Sequence, residues 1–288
     1  MSYPLRPRRS VLYMPGANAR ALEKARTLAA DSLIFDMEDA VAPEAKSQAR
    51  QQIIAAVTQG GYGQREIIIR VNGLDTPWGR DDLTAIAPLL INGVLLPKIS
   101  SPQQLVTAVD WLDAQGGRHL PIWIMTETPA CILHLDEIAG SHPRLMGMVM
   151  GTSDLAKEMR VRHTVDRVGL LTPLSLCVLA ARAHGLDIVD GVYLNLEDDT
   201  GFRAVCEQGR DMGFDGKTLI HPKQLDIANQ VFAPTKEEVE HSRQVMTAWE
   251  QAQQEGKGVV VVNGKLVENL HYEEAKRLLA LAEVIAKR

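Results

Sequence analysis

Eight short apolar or β-branched runs, each followed by a longer segment of helical spacing, constrain the fold of this chain more than any other feature. The runs are Ser10–Met14, Ser32–Met37, Glu66–Val71, Gly93–Leu96, Pro121–Met125, Leu145–Met150, Ile188–Leu194 and Gly216–Ile220. Between them, segments such as Ala19–Ala30, Glu44–Thr58, Pro102–Gln115 and Pro173–His184 carry apolar residues at helical intervals and often stop at Gly. A helix between successive strands implies parallel pairing. Eight such units in about 230 residues is the number that closes a (β/α)8 TIM barrel, although an open doubly wound sheet shares most of the pattern. The reading is an α/β chain with a barrel domain over residues 1–232. Past Ala233 the pattern changes to a charged helix at Glu237–Gln254, a turn at Asn263-Gly264 and a last helix from Tyr272. Residues 233–288 therefore read as a C-terminal helical and hairpin extension.

Composition narrows the classes of function. With 288 residues, 45% hydrophobic and 23% charged, the chain buries a full core and is not disordered. A formal charge of -5 argues against nucleic-acid binding by bulk electrostatics and leaves room for a small acidic or phosphorylated ligand. Cys131, Cys177 and Cys206 cannot all pair within one chain and have no zinc spacing, which fits a reducing compartment. The apolar stretch Val11–Met14 is too short for a signal peptide, and no run approaches the ~20 apolar residues of a membrane helix. The expectation is a cytoplasmic protein that engages neither membrane nor nucleic acid.

Common motifs fail. Gly216-Lys217-Thr218 resembles the end of a phosphate-binding loop, but Asp211 stands where the loop needs glycine. There is no G-x-G-x-x-G after the first strand, no His-Glu-x-x-His and no G-x-S-x-G elbow.

Acids at strand ends are what remain, and in a parallel barrel reactive groups project from the carboxyl ends of the strands. Asp36, Glu38 and Asp39 close the second strand, Glu127 the fifth and Asp154 the sixth. Glu127 and Asp154, on adjacent strands, supply hard oxygen donors for a divalent cation such as Mg2+, with substrate oxygens and water completing the shell. Strand-end acids also cap helices or pair with arginine, and that alternative stands beside the metal reading. Arg70 ends the third strand and Lys98 follows the fourth. A guanidinium there suits a bidentate grip on a carboxylate; the competing reading pairs it with Asp36 or Glu38.

In this order, Arg9-Ser10-Val11-Leu12-Tyr13-Met14-Pro15-Gly16, Phe35-Asp36-Met37-Glu38-Asp39-Ala40-Val41, Lys46 to Arg50, Arg70-Val71-Asn72, Leu96-Pro97-Lys98, Thr126-Glu127-Thr128, Gly151-Thr152-Ser153-Asp154, Gly213-Phe214-Asp215-Gly216-Lys217 and Ile220-His221-Pro222 form a specific series. Through it the chain resembles, over nearly its full length, the citrate lyase β-subunit-like proteins of the HpcH/HpaI aldolase superfamily. The resemblance implies a Mg2+-dependent barrel that forms homotrimers or hexamers and acts on 3-hydroxyacyl thioesters of coenzyme A or an acyl carrier protein.

Carried over by position, the resemblance makes Glu127 and Asp154 the metal ligands and Arg70 the substrate-gripping arginine. Glu38 and Asp39 become acids that bond metal-bound water, and Arg9, Ser10, Pro15 and Lys24 the entry of the thioester carrier. It also implies that a tail acid, here Glu268, serves catalysis, commonly in a neighbouring subunit. Two positions depart from the pattern: Glu268 stands where relatives carry aspartate, and Ser153 where many carry an acid. The expected reaction is a retro-Claisen cleavage of a citramalyl, malyl or citryl thioester to an acetyl thioester and a 2-oxo acid. A malyl-CoA-type thioesterase and a non-catalytic binding subunit are the alternatives.

Overall fold

A computed structural model describes residues 5–288; residues 1–4 of the expected barrel span lie outside the described residues. Arg8–Phe232 forms one compact unit, and Ala233–Arg288 with residues 5–7 forms another.

In the first unit, β1 (Ser10–Pro15), β2 (Ser32–Asp36), β3 (Glu66–Arg70), β4 (Gly93–Leu96), β5 (Ile122–Thr126), β6 (Leu145–Met150), β7 (Asp187–Asp190) and β8 (Gly216–Leu219) close into a barrel in sequence order. All neighbours are parallel, and β8 returns to β1 through the register Ser10↔Lys217 to Leu12↔Leu219. This is the α/β TIM barrel that the eightfold alternation favours, and its closure excludes the open sheet that shares most of that pattern.

Strand alternation builds two layers of core. Leu12, Leu33, Phe35, Ile69, Val94, Ile124 and Leu219 face outward and cluster with helix residues such as Ile53, Leu83, Leu105, Leu174 and Phe202. The alternate positions, among them Val11, Ile34, Ile68, Leu95, Trp123 and Val189, are buried and turn into the barrel. Gly147 makes room there, since a Cβ on it would lie 2.3 Å from the Trp123 ring.

The amino-terminal end of the barrel is closed by charge. Arg8 donates to both oxygens of Glu66 at 2.7 Å, pairs with Asp187 and lies 4.9 Å over the Trp123 ring, while the Ser32 hydroxyl donates to Glu66 at 2.8 Å. A second buried cluster ends β7. Asp190 receives Lys217 Nζ and Arg167 Nη1 at 2.8 Å, and the Gly191 N–H turns back onto Asp190 Oδ1. That turn explains why β7 stops at Asp190, short of the expected Leu194. Burial works against the Asp190 charge, but Lys217 and then Arg167 outweigh it and hold the carboxyl below its usual range.

The second unit has its own small core of Val245, Trp249, Val262, Val267 and Ala275. Its helix Lys236–Gln254 starts with a capping box between Thr235 and Glu238. The hairpin β9 (Val260–Val262) and β10 (Lys265–Val267) turns through Asn263 and Gly264, whose φ values of 49° and 77° suit a tight two-residue loop. Helix Asn269–Ala286 begins three residues before the expected Tyr272, because Glu268 and His271 form a reciprocal cap. Among the described residues, no helix is long and apolar enough to cross a membrane.

Candidate functional site

The polarity of parallel strands gathers the strand-end acids of the barrel at its carboxyl mouth. Glu127 follows β5 directly and is buried, whereas Asp154 lies in the first turn of helix Thr152–Met159, where the helix dipole favours an anion. Lys98, after β4, links them. Its N–H donates to Glu127 Oε1 at 2.7 Å, its ammonium pairs with Asp154, and the same ammonium is 3.7 Å from Glu127 Oε1. To do so Lys98 adopts φ 54°, a left-handed backbone that lysine rarely takes. Gly151 leaves space for the glutamate, because a Cβ there would lie 2.7 Å from Glu127 Oε2. Burial raises the Glu127 pKa, against the opposing charge of Lys98. Burial disfavours the Lys98 ammonium too, but the bond to Asp154 and the charge of Glu127 prevail and raise its pKa.

On the opposite wall, Arg70 donates Nε and Nη2 to the two oxygens of Asp36 at 2.7 and 2.6 Å. Its Nη1 lies 2.8 Å from Glu38 Oε2 and 3.6 Å from Asp39 Oδ2. The Glu38 contact lacks hydrogen-bond alignment, so Oε2 is buried without a bonded partner. Burial pushes the Glu38 pKa up to about 8; Arg70 opposes the shift, and Asp39, Glu127 and Asp36 add to it. Tyr13, on β1, lies beneath the Arg70 guanidinium at 4.9 Å. Burial, only partly offset by Arg70, keeps its phenol protonated. Sequence reasoning assigned Tyr13 no role, though its alternation with the inward-facing Val11 pointed into the barrel. A cavity of about 400 Å³ opens beside Lys98, bounded by Asn72, Leu96, Ser101 and Gln104.

The mouth thus brings together Glu38, Asp39, Arg70, Glu127 and Asp154. The four residues expected at the carrier entry do not share one surface. Arg9 and Ser10 stand at the amino-terminal end of β1, where Arg9 is tied to Asp31 at 2.8 and 2.9 Å and the buried Ser10 hydroxyl donates to Asn229 at 2.7 Å. Only Pro15, level with Asp36 at the end of β1, reaches the carboxyl side; Lys24 is exposed in the last turn of helix Ala19–Lys24. Ser10 and Pro15 stand at opposite ends of β1, so the length of that strand separates them. Glu268 belongs to the tail unit, where it is exposed and caps helix Asn269–Ala286.

The donor set fits a hard cation. Among the described residues no group of three His, Cys, Asp or Glu side chains converges on one point; the carboxylates of Glu127 and Asp154, both contacted by Lys98, are the two hard-oxygen donors that would hold the ion. Mg2+ is commonly held by one or two carboxylates, with water and substrate supplying the rest.

A closed parallel barrel with convergent acids and a fixed arginine at its carboxyl mouth is the architecture of a barrel enzyme. Residues 9–222 match the HpcH/HpaI aldolase/citrate lyase family, and the chain belongs to that family. It is 53% identical over 286 residues to a (3S)-malyl-CoA thioesterase of Cereibacter sphaeroides, covering 99% of this chain and 98% of the relative. Against citrate lyase subunit beta of Escherichia coli the identity is 35%, over 97% of this chain and 94% of the relative. Among solved structures, CitE of Mycobacterium tuberculosis in complex with magnesium, acetoacetate and coenzyme A superposes with a TM-score of 0.77 at 25% identity, covering 96% of this chain and 98% of that one. The family expectation holds, but carbon–carbon cleavage as the reaction does not. The thioesterase shares 53% of its residues with this chain and the lyase subunit 35%, so the similarity favours hydrolysis.

Proposed function

We propose that this protein is a thioesterase that hydrolyses a malyl-CoA-type thioester to coenzyme A and the free hydroxy diacid, with Mg2+ at Glu127 and Asp154. The observation that carries this reading is the 53% identity to the (3S)-malyl-CoA thioesterase across almost the whole of both chains. Mg2+ held there supplies Lewis-acid polarisation of substrate oxygens.

The remaining steps belong to the chain's own residues. Arg70, fixed by Asp36, grips the substrate's terminal carboxylate, a task for a planar two-pronged donor. Glu38, with a pKa near 8, is tuned to exchange a proton close to neutral pH. It takes one proton from the attacking water as the new C–O bond forms at the thioester carbon. When the C–S bond breaks, that proton passes to the departing thiolate and Glu38 returns to its starting form. Asp39, exposed at the rim, orients water, and Glu268 serves as a second acid–base group on the strength of the resemblance. The three buried, unpaired cysteines support a cytoplasmic setting. Assembly as a homotrimer or hexamer rests on the resemblance alone.

The test is product identity. Purified protein with Mg2+ and (3S)-malyl-CoA is expected to release free thiol and malate in equal amounts. Acetyl-CoA and glyoxylate formed one to one, without free thiol, would overturn the reading.

A further inference from the structure

Lys46 opens helix Lys46–Gln59 and is only 6% exposed, yet among the described residues it forms no ion pair with a carboxylate. Its ammonium instead donates to two consecutive main-chain oxygens, Met37 O at 2.9 Å and Glu38 O at 2.7 Å, and lies 5.4 Å from the Trp78 ring centre. A buried cation spent on two adjacent carbonyls fixes the peptide planes on either side of Glu38, and hence the direction of its side chain. The same stretch is held from other sides. Asn72 Nδ2 donates to Met37 O at 2.9 Å, Asp82 accepts from Asn72 and from Arg50, and Asp36 accepts the N–H groups of Glu38 and Ala40. Of these, only Lys46 touches the carbonyl of Glu38 with a side chain.

We infer that Lys46 is a positioning residue that acts through the backbone to hold the Glu38 carboxyl in its buried place beside Arg70. The inference rests on the proposed role of Glu38, but its primary readout does not require turnover. Glu38 is faced by Arg70, Asp39, Asp36 and Glu127, and burial is the largest cause of its raised pKa. Two effects of Lys46→Met therefore oppose each other in sign. Removing a nearby positive charge alone leaves the Glu38 pKa at about 8 or higher, whereas releasing the loop exposes the carboxyl and lowers it toward the ordinary glutamate value.

The experiment is a carbon-13 NMR titration of glutamate side-chain carboxyls, with Glu38 assigned by its absence in Glu38→Gln, in wild type and in Lys46→Met. A downward move of at least about one pH unit in the variant is expected, and an unchanged or upward-shifted titration overturns the inference. If Lys46→Met does not fold, Lys46→Arg is titrated instead. Its longer, forked head keeps the charge but misplaces the donors, so the same downward move is expected and an unchanged value overturns the inference. In the hydrolysis assay, kcat should fall by up to about 10²-fold with KM nearly constant. Should wild type release no thiol at all while the titration still moves, the function proposed for the site fails and the positioning role stands.

Discussion

Lys98 joins the two acids of the candidate metal site by separate groups, its backbone N–H bonded to Glu127 at 2.7 Å and its ammonium paired with Asp154. A loop residue that engages both carboxylates fixes their spacing, and their hard oxygens predict a divalent-cation requirement. Glu127→Gln and Asp154→Asn are each expected to stay folded and to weaken Mn2+ binding, read by electron paramagnetic resonance, by more than about tenfold. Chelation should stop hydrolysis. Unchanged Mn2+ affinity in both variants would remove the pair from the metal site.

Arg70 presents two N–H groups to Asp36 and a third toward Glu38, a geometry that a point charge cannot copy. Arg70→Lys is expected to fold and to lose about 10²-fold or more in kcat/KM, well beyond the loss from neutralising a surface arginine such as Arg118. Near-normal kinetics would leave Arg70 as no more than the partner of Asp36.

The eight strands were legible because period-two burial and intervening helical spacing are local signals, and the acids at their ends followed from barrel polarity. The sequence leaves Arg70 open to pairing with Asp36 or Glu38, and the structure shows both Asp36 oxygens accepting from it. The buried clusters Arg8–Glu66–Asp187 and Asp190–Lys217–Arg167 were not legible, since their members lie between 23 and 179 residues apart. Only strand register places them in contact. The carrier-entry expectation for Arg9, Ser10, Pro15 and Lys24 rests on the resemblance, and which end of the barrel each occupies follows only from strand direction, with Arg9 and Ser10 at the start of β1 and Pro15 at its end.

Glu38 links activity and stability to pH. As the proposed base it must be ionised, so hydrolysis should rise with pH through about 8 and then level off. Its folded pKa lies above the ordinary glutamate value of about 4.5, so it contributes stability that is fully present below about 4.5 and is lost as pH rises through about 8. Glu38→Gln should therefore be inactive yet melt at a higher temperature than wild type at pH 9, with the difference shrinking by pH 5. A rate profile that is flat between pH 6 and pH 9 would exclude Glu38 as the base.

Asp190 is fully buried between Lys217 and Arg167. Asp190→Asn leaves two buried cations without a counter-charge and is expected to cost about 3–5 kcal/mol in urea unfolding. Adding Lys217→Met removes one of those charges and should recover part of the loss, giving a coupling that a double-mutant cycle detects. Additive losses would show that the cluster is not a cooperating unit.

Glu268 can be tested for two different jobs, because the residue is both the cap of helix Asn269–Ala286 and the tail acid to which the resemblance assigns a catalytic role. As a cap alone, Glu268→Gln should cost about 1 kcal/mol or less of stability and leave turnover intact. As an acid–base group, the same change should lower kcat by about 10²-fold with thioester binding preserved, since an amide cannot exchange the proton. The second outcome is expected. Glu268→Asp separates charge from reach: it keeps the carboxylate and shortens the side chain by one methylene, giving the aspartate that the resemblance implies at this position. It should retain substantial activity, and a shift in its preference among malyl, citramalyl and citryl thioesters would tie the extra methylene to substrate choice. Wild-type turnover in Glu268→Gln, with only the small stability loss of a weakened cap, would leave proton transfer to Glu38.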